Sequence, residues 1–272
     1  MPREKPKTLK ARLRRLGAKA TRPFVRFRPR VTRTVPNLRR IGTEYGGWTF
    51  VDRPELRGST VVCAGAGEDI SFDIGFAREF DGTVIVVDPT PRAVLHVEGV
   101  MRRLRDRAPR SAEFNDTGKQ DVGAYDLTGL VEDQIFLDKR AVWETNGTLE
   151  FFVPQNPEHV SHSAVNLHGT HEFIEVDAVT LGELLTTHGI TTLPLLKLDI
   201  EGAEIEVIDQ MLGEGIRPDQ VLVEFDELNA PSLAGKKRVR RCYERLIAEG
   251  YDLVHFDGSA DCLFVRKEVS SG

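Results

Sequence analysis

Apolar and polar positions divide the chain, from about residue 58 onwards, into alternating strand-like and helix-like segments. Short apolar runs, rich in β-branched residues, predict strands at residues 59–64, 83–87, 195–198 and 220–225. These runs do not alternate between apolar and polar side chains, and such strands are typical of a parallel sheet that is buried on both faces. The pattern therefore predicts an α/β fold with a doubly wound, mostly parallel sheet and helices on both faces.

Helical periodicity and turn signals fill the intervals between these strands. Helices are predicted at residues 70–80, 92–107, 181–188, 202–211 and 236–249, and further strands at 134–137, 148–153 and 173–179. The segments 251–256 and 262–265 are typical of a closing hairpin, which would put one antiparallel strand at an edge of the sheet. Ligands of open sheets bind beyond the carboxyl ends of the parallel strands. Functional residues are therefore expected immediately after each strand.

The charge is distributed unevenly along the chain. Of the 37 Lys and Arg residues, 15 lie within residues 1–40, which contain a single acidic residue, Glu4. The remaining 232 residues carry 22 basic and 41 acidic side chains, a net charge of −19. We therefore expect a basic N-terminal extension at residues 1–40, partly disordered or helical, followed by an acidic domain at residues 41–272.

The basic extension has two competing interpretations. Leu9, Leu13 and Leu16 lie at helical spacing among arginines, which favours peripheral contact with an anionic membrane. The alternative is a solvated segment, partly docked on the acidic domain. Nucleic acid is the least favoured partner, because the acidic domain repels phosphate. No apolar run is long enough to cross a membrane, and the three separated cysteines favour a reducing compartment, so a cytoplasmic location is expected.

A glycine turn follows the first predicted strand. Residues 63–69 read Cys-Ala-Gly-Ala-Gly-Glu-Asp, and the glycines allow the backbone to pass close to a ligand. Asp88 ends the second strand, 23 residues after Gly65, where an acidic side chain can accept both ribose hydroxyls of a nucleotide. A tight turn, with Asp88 as a turn residue before Pro89, would explain the same residues without a ligand.

The charge of this turn indicates which nucleotide it could bind. A dinucleotide fingerprint requires a third glycine at position 70, where the chain has Ile70, and it brings a pyrophosphate close to Glu68 and Asp69. A carboxylate within ~6 Å of a phosphate costs roughly 1 kcal/mol or more at an effective dielectric of about 20–40. S-adenosylmethionine has no phosphate and carries positive charges. The acidic turn therefore favours S-adenosylmethionine over NAD.

A second charged cluster follows the strand at residues 195–198. Lys197 lies inside this apolar strand and requires a carboxylate partner, for which Glu224 on the next strand is the expected residue. Asp199 lies at the carboxyl end of the strand, and Glu201 and Glu204 share one face of the following helix. Taken singly, these acidic residues could also serve as a helix N-cap and as stabilisers of the first helical turn.

Together, these motifs resemble the FkbM-type methyltransferases. The resemblance covers about residues 58–267 and rests on four segments, namely 197–204 (KLDIEGAE), 179–185 (VTLGELL), the turn with its continuation GEDISF, and 88–91 (DPTP). It implies a class I, Rossmann-like methyltransferase domain at residues 41–272, with a seven-stranded sheet. It also implies O-methylation of a hydroxyl on a sugar, glycolipid or natural product. The chain departs from the family pattern at Cys63, where an acidic residue is frequent, and at Gly67 and Asp69 within the turn.

The resemblance also implies roles for individual residues. Cofactor binding is expected from the glycine turn at the methionine end, from Asp88 at the ribose and from the turn after the third core strand at the adenine; the residues concerned are Gly65, Ala66, Gly67, Asp88, Pro89, Thr90, Ala141 and Val142. Asp199 is the first candidate for the catalytic proton acceptor, with Lys197 and Glu201 beside it. His162, one of four histidines between residues 159 and 171, is an alternative base. No metal is expected, although Asp199, Glu201 or Glu224 could hold a divalent ion together with a histidine.

Two other functions fit parts of the sequence. One is an NAD-linked oxidoreductase, which the acidic turn and the missing third glycine oppose. The other is a non-catalytic binding protein with a degenerate cofactor fold, anchored to an anionic surface by its basic extension. The leading interpretation is an S-adenosylmethionine-dependent methyltransferase whose acceptor is a hydroxyl of a small molecule or glycan. The sequence predicts no oligomeric state.

Overall fold

A computed structural model describes residues 27–115, 117–152, 173–229 and 231–267. The strands of these residues are β1 (Leu38–Ile41), β2 (Trp48–Val51), β3 (Thr60–Ala64), β4 (Thr83–Val87), β5 (Ile135–Asp138), β6 (Ala141–Val142), β7 (Gly147–Phe152), β8 (Phe173–Val179), β9 (Leu195–Leu198), β10 (Gln220–Glu224), β11 (Tyr251–Phe256) and β12 (Asp261–Arg266). The α-helices are α1 (Ser71–Phe80), α2 (Pro91–Arg105), α3 (Leu181–Thr187), α4 (Glu204–Gly213), α5 (Asp226–Asn229) and α6 (Leu233–Ala248). Short 3-10 helices lie at Pro54–Leu56, Val122–Ala124 and Glu132–Gln134.

Seven strands form the main sheet, in the spatial order β11-β12-β10-β9-β3-β4-β5. The five strands from β10 to β5 pair in parallel. Their apolar side chains are buried on both faces, as in Val61 and Val62 or Leu195 and Leu196, because helices cover both sides. The predicted doubly wound α/β fold is therefore confirmed.

The closing hairpin corrects one detail of that prediction. The antiparallel strand is β12, and it pairs with both β10 and β11. It therefore lies one position inside the sheet, and β11 forms the edge. The arrangement buries the apolar residues of β12, from Cys262 to Val265, which an edge position would leave more exposed.

Two features of the fold are absent from the prediction. Strands β1 and β2 form an antiparallel hairpin, and β1 crosses the boundary that the charge pattern predicts between residues 40 and 41. The ring of Phe50 on β2 packs against the rings of Phe72 and Phe80 on α1, with centroid distances of 6.0 and 5.6 Å. Such aromatic pairs contribute about 0.5–1.5 kcal/mol each beyond the area that they bury. They hold the hairpin against the helix that follows the glycine turn.

The second feature is the grouping of β6, β8 and β7, in that order, into a small separate sheet, whereas strands β7 and β8 themselves were predicted at residues 148–153 and 173–179. Strand β6 is only two residues long, and Ala141 and Val142 pair in parallel with Ala178 and Val179 of β8. Strand β7 pairs antiparallel with β8 along its whole length. This sheet brings the buried residues of β6 to the carboxyl end of β4 and β5.

Part of the basic extension lies against the domain. Thr32 N donates a hydrogen bond to Leu253 O at 2.8 Å, and Arg33 forms a salt bridge of 2.9 Å with Asp252. The hydroxyl of Tyr243 on α6 donates to Arg30 O at 2.9 Å. Residues 30–33 are therefore held at the β11 edge of the sheet, while the predicted amphipathic segment at residues 9–16 lies outside the described residues.

Candidate active site

A cavity of about 980 Å³ opens at the carboxyl ends of β3, β4, β9 and β10. This is the edge of the sheet where ligands of doubly wound folds bind. The glycine turn, Asp88 and Asp199 line the cavity, as the order of the strands predicts. The volume is at the upper end of the range of about 300–1,000 Å³ that is typical of small-molecule sites.

The glycine turn fits tightly against the end of β9. Gly65 has a φ of +88°, and a Cβ atom at this position would lie 1.7 Å from the carbonyl oxygen of Asp199. Asp199 N donates a hydrogen bond to Ala64 O at 3.0 Å, which joins the two segments. Only glycine can occupy position 65 in this arrangement. Gly67 also has a positive φ, +52°, but a Cβ there would meet no atom within 4 Å.

Asp88 organises the turn from the end of β4. One carboxylate oxygen accepts hydrogen bonds from Ala66 N at 2.9 Å and Gly67 N at 3.2 Å. The other oxygen accepts from the backbone and the hydroxyl of Thr90, at 2.8 and 2.7 Å. The predicted cofactor-binding residues 65–67 and 88–90 therefore form one hydrogen-bonded unit along the cavity. In this arrangement the carboxylate of Asp88 mainly serves the loop backbone.

Contrary to the prediction from the sequence, Glu68 and Asp69 do not present free carboxylates to the cavity. Glu68 forms a salt bridge of 2.5 Å with Arg92 of α2. Asp69 is buried and accepts hydrogen bonds from Thr43 Oγ1 at 2.6 Å and from Ser71 N at 2.9 Å. Both carboxylates are engaged by the protein, so they do not by themselves separate a cationic cofactor from a phosphorylated one. These partners could not be predicted from the local sequence, because Arg92 lies on α2 and Thr43 lies in the turn of the hairpin β1–β2.

Lys197 is almost fully buried, with 4% of its surface exposed, and its partners differ from the predicted one. Its Nζ donates to Gly65 O at 2.5 Å and lies 3.6 Å from a carboxylate oxygen of Asp199. Burial opposes the charged form, but the carboxylates of Asp199 and Asp73 outweigh it and raise the pKa of Lys197. No contact with Glu224 is present in the described residues. The ammonium therefore connects the glycine turn to the first residue after β9.

The acidic residues after β9 have different roles. The carboxylate of Glu204 is buried and accepts hydrogen bonds from Ile200 N at 2.8 Å and from Gly202 N at 3.0 Å. It stabilises the turn before α4, and burial raises its pKa well above the ordinary value. Asp199 and Glu201 line the cavity instead, and Glu201 has a φ of +56°, which is unusual for a residue with a side chain.

The far side of the cavity is strongly acidic. Glu224 and Asp261 are direct neighbours across the β10–β12 pair, and both line the cavity. Burial, together with the charge of Asp199, raises the pKa of both carboxyls, that of Asp261 to about 7. Asn229 donates a hydrogen bond of 2.6 Å to Glu224. In the part of the chain that the structure describes, nine carboxylates and two lysines line the cavity, and the carboxylates are Glu68, Asp69, Asp88, Asp199, Glu201, Glu224, Asp226, Asp257 and Asp261.

The comparison with known protein families agrees with this geometry. A family profile described as the methyltransferase FkbM domain matches residues 64–244, about two thirds of the chain. The chain belongs to the FkbM methyltransferase family. The match begins at the glycine turn and includes the cluster around Lys197 and Asp199. The hairpin β1–β2 and the strands β11 and β12 lie outside it.

Individual relatives of this FkbM-family chain are more distant. A curated relative, the 31-O-demethyl-FK506 methyltransferase FkbM of Streptomyces tacrolimicus, is 28% identical over 171 residues, which are 58% of this chain and 64% of that protein. The match therefore spans less than two thirds of the relative's length. Among solved structures, the SAH-bound methyltransferase PaMTH1 of Podospora anserina is 7% identical with a TM-score of 0.42, covering 77% of this chain and 72% of that one. A fibrillarin/Nop5p complex is 10% identical with a TM-score of 0.39, covering 80% and 76%.

The remaining predicted residues of this FkbM-family chain have different outcomes. Ala141 and Val142 line the cavity beside Val87. His162 and the other three histidines between residues 159 and 171 lie outside the described residues. Within the described part of the chain, no three His, Cys, Asp or Glu side chains converge as metal ligands. In the same residues, no helix has the length and apolar character that are needed to cross a membrane.

Sequence reasoning missed several residues of the cavity wall. Tyr45 and Trp48 come from the hairpin β1–β2, Phe151 from β7, and residues 117–119 from the loop before the 3-10 helix at Val122–Ala124. None of them follows a strand of the main sheet, where the parallel topology predicts functional residues. The one available signal was the pair of aromatic residues within the short glycine-containing segment 45–48.

Proposed function

We propose that the protein is an S-adenosylmethionine-dependent O-methyltransferase that acts on a hydroxyl of a sugar, glycolipid or natural product. The observation that carries the proposal is the contact between Gly65 and the carbonyl of Asp199. This contact joins the glycine turn, which is the expected donor site, to the carboxylate of Asp199, the expected proton acceptor. Family membership supports the transfer of a methyl group, and the geometry of the cavity supports this division of roles.

The residues around the cavity fit S-adenosylmethionine. The volume of about 980 Å³ leaves room for the donor and for an acceptor beside it. The glycine turn exposes backbone at the donor end, and Asp88 keeps that backbone in place through Ala66 N and Gly67 N. Among the described lining residues, the carboxylates of Asp199, Glu201, Asp226 and Asp257 outnumber the ammonium groups of Lys119 and Lys197, which favours a cationic ligand over a phosphorylated one. When bound, the cofactor supplies an electrophilic methyl group on a positively charged sulfur.

Within this proposal, the two sides of the cavity have separate tasks. Gly65, Ala66 and Gly67 hold the methionine end of the donor, and Ala141 and Val142 pack against its adenine. Asp199 accepts the proton of the acceptor hydroxyl, while the ammonium of Lys197, 3.6 Å away, compensates its charge and fixes its position relative to the glycine turn. Positioning supplies much of the remaining rate, since effective molarity can contribute ~7–11 kcal/mol at best.

The electrostatics also restrict the acceptor. Asp199, Glu224 and Asp261 lie together on the proposed acceptor side, where burial, and after it the neighbouring carboxylates, raise the pKa values of Glu224 and Asp261. An anionic acceptor would meet the same burial and the negative charge of Asp199. We therefore infer that the acceptor is neutral or cationic, such as a polyol, a glycoside or an amino sugar, and that phosphorylated or carboxylated analogues are poor substrates.

The proposal is tested by methyl transfer from S-adenosylmethionine that carries a labelled methyl group. Neutral, amino and phosphorylated glycosides are offered as acceptors, and the position of the label in the product is determined by NMR. We expect label on an oxygen of a neutral or cationic acceptor. Asp199→Asn should lower kcat by about 10²–10⁴-fold with little change in the Kd for S-adenosylhomocysteine. Glu206→Gln, outside the cavity, is the matched control. Full activity of Asp199→Asn, or label on nitrogen alone, would contradict the proposal.

A further inference from the structure

The turn of the hairpin β1–β2 is fixed directly onto the start of α1, beside the glycine turn. Thr43 Oγ1 donates to Asp69 at 2.6 Å, and Thr43 N donates to Ser71 Oγ at 2.9 Å. Gly46 N donates in turn to Thr43 Oγ1 at 2.8 Å. A Cβ atom on Gly46 would lie 2.5 Å from the carboxyl carbon of Asp69, so the turn packs closely on this residue. The position of Tyr45 is therefore coupled to the glycine turn.

Tyr45 extends from this turn across the cavity. Its ring lies against Gly118 on the opposite loop, where a Cβ atom would come within 2.6 Å of ring carbons Cε1 and Cζ. Partial burial, and then the charges of Asp199 and Glu201, raise the pKa of its phenol. In the described residues this hydroxyl makes no hydrogen bond, and 68% of the residue surface is exposed. Tyr45 thus lines the same cavity as the glycine turn and Asp199.

The other aromatic rings that line the cavity are less available to a ligand. The ring of Trp48 is buried, and the ammonium of Lys197 lies over it, 5.4 Å from the centroid. Phe151 belongs to β7 of the small sheet and is also buried. Of the rings that line the cavity in the described part of the chain, Tyr45 therefore presents the open aromatic face.

We propose that Tyr45 is a donor-binding residue whose ring contacts the sulfonium end of S-adenosylmethionine. This inference rests on the proposed function, because it assumes that the donor occupies the glycine turn. An aromatic face attracts a cation that lies over it, and the attraction is stronger where water is excluded. S-adenosylhomocysteine, the product, contains a neutral thioether in place of the sulfonium. Tyr45 therefore binds the substrate form of the cofactor better than the product form, which favours product release. The residue lies outside the part of the chain that matches the family profile.

Calorimetry with the two cofactor forms tests this role without an acceptor. Tyr45→Ala should weaken S-adenosylmethionine about threefold to thirtyfold more than S-adenosylhomocysteine, which is the range of a cation–aromatic contact. Tyr45→Phe keeps the ring and should keep the wild-type affinity ratio. Gly118→Ala should lower the same ratio, because the added methyl displaces the ring from the opposite side. Phe136→Ala, a half-exposed ring on β5 outside the cavity, is the control.

The outcomes separate this inference from the proposed function. Wild-type protein that binds neither cofactor form contradicts the proposed function, and the role of Tyr45 falls with it. Wild-type protein that binds both, with a Tyr45→Ala variant whose two affinities are unchanged or fall by the same factor, overturns the role of Tyr45 alone. The role of Tyr45 is also overturned if Tyr45→Phe lowers the affinity ratio of the two cofactor forms as much as Tyr45→Ala does. The aromatic ring would then not be the cause of the preference for S-adenosylmethionine. Thermal melting of each variant confirms that it is folded.

Discussion

The contact between the glycine turn and strand β9 can be tested by a single added methyl group. Gly65→Ala places a Cβ atom 1.7 Å from the carbonyl oxygen of Asp199, about half of an ordinary van der Waals separation. The backbone of the turn must then move away from the end of β9. We expect the variant to lose both stability and cofactor affinity, because Gly65 packs against the end of β9 and belongs to the proposed donor site.

The size of the effect follows from three contributions. A side chain at a φ of +88° costs about 1–2 kcal/mol in backbone strain. Movement of the turn also breaks the hydrogen bonds from Lys197 Nζ to Gly65 O and from Asp199 N to Ala64 O, at about 1 kcal/mol each. The expected loss is therefore about 3–4 kcal/mol. Gly67→Ala carries only the backbone strain, about 1 kcal/mol, because its Cβ would meet no atom within 4 Å.

Urea unfolding and calorimetry with S-adenosylhomocysteine measure the two consequences in parallel. We expect Gly65→Ala to be about 2–3 kcal/mol less stable than Gly67→Ala and to show no measurable cofactor binding. The comparison between the two glycines removes the general effect of adding a methyl group to a loop. Equal losses of stability in the two variants, with cofactor binding retained in Gly65→Ala, would refute the reasoning.

Three further predictions concern charged groups. Burial, followed by the charges of Asp199 and Asp261, raises the pKa of Glu224 to about 9 from 4.5 in an exposed carboxyl, so the folded state loses stability as the pH rises through this interval. Glu224→Gln should melt at a higher temperature than the wild type at pH 8 and at the same temperature near pH 4. A difference in melting temperature between variant and wild type that is the same at both pH values would contradict this. The pKa of Asp138 is lowered to about 2, because hydrogen bonds from Arg140 and His188 outweigh the effect of its burial. Its contribution to stability is therefore present above pH 3.8 and is lost as the pH falls towards 2. Arg140→Ala should therefore move the midpoint of acid unfolding, followed by circular dichroism, to higher pH and lower the free energy of unfolding by about 1 kcal/mol at pH 7. An unchanged midpoint would contradict a stabilising role for the pair of Asp138 and Arg140. Asp88→Ala leaves Ala66 N and Gly67 N without their acceptor and should weaken S-adenosylhomocysteine at least about tenfold in calorimetry, and wild-type affinity would show that the turn holds its shape unaided.

The main sheet could be predicted from sequence because each of its strands carries a local signal. The run at Thr83–Val87 is apolar after its first residue, Leu195–Leu198 is apolar apart from Lys197, and helical patterns separate the two, so both position and parallel pairing follow. The hairpin β1–β2 has no such signal. Its first strand, Leu38–Ile41, has the sequence LRRI inside a basic segment, and it is stabilised by the packing of Phe50 on α1, a contact across the sequence. The position of β12 inside the sheet likewise depends on pairing and not on local pattern.

In the candidate site, too, some features were predictable from the local sequence and others depend on contacts between distant residues. Gly65, Asp88 and Asp199 each follow a strand of the main sheet, so their convergence on one cavity was predictable from the parallel topology. The partners of the charged residues were not predictable from the sequence. Lys197 pairs with Asp199 and the carbonyl of Gly65, not with Glu224, although β9 is a parallel neighbour of both β3 and β10, so the order of the strands alone does not select the partner. Glu68 is neutralised by Arg92 from a helix that begins more than twenty residues later.

Cofactor choice is the central claim, and competitive binding measures it most directly. Purified protein is titrated by calorimetry with S-adenosylmethionine, S-adenosylhomocysteine and NAD, each alone and then in the presence of the others. The acidic cavity and the glycine turn predict binding of the two adenosyl compounds at nanomolar to micromolar Kd, mutual competition between them, and no heat from NAD. Binding of NAD at the same site, with no response to S-adenosylmethionine, would contradict the account.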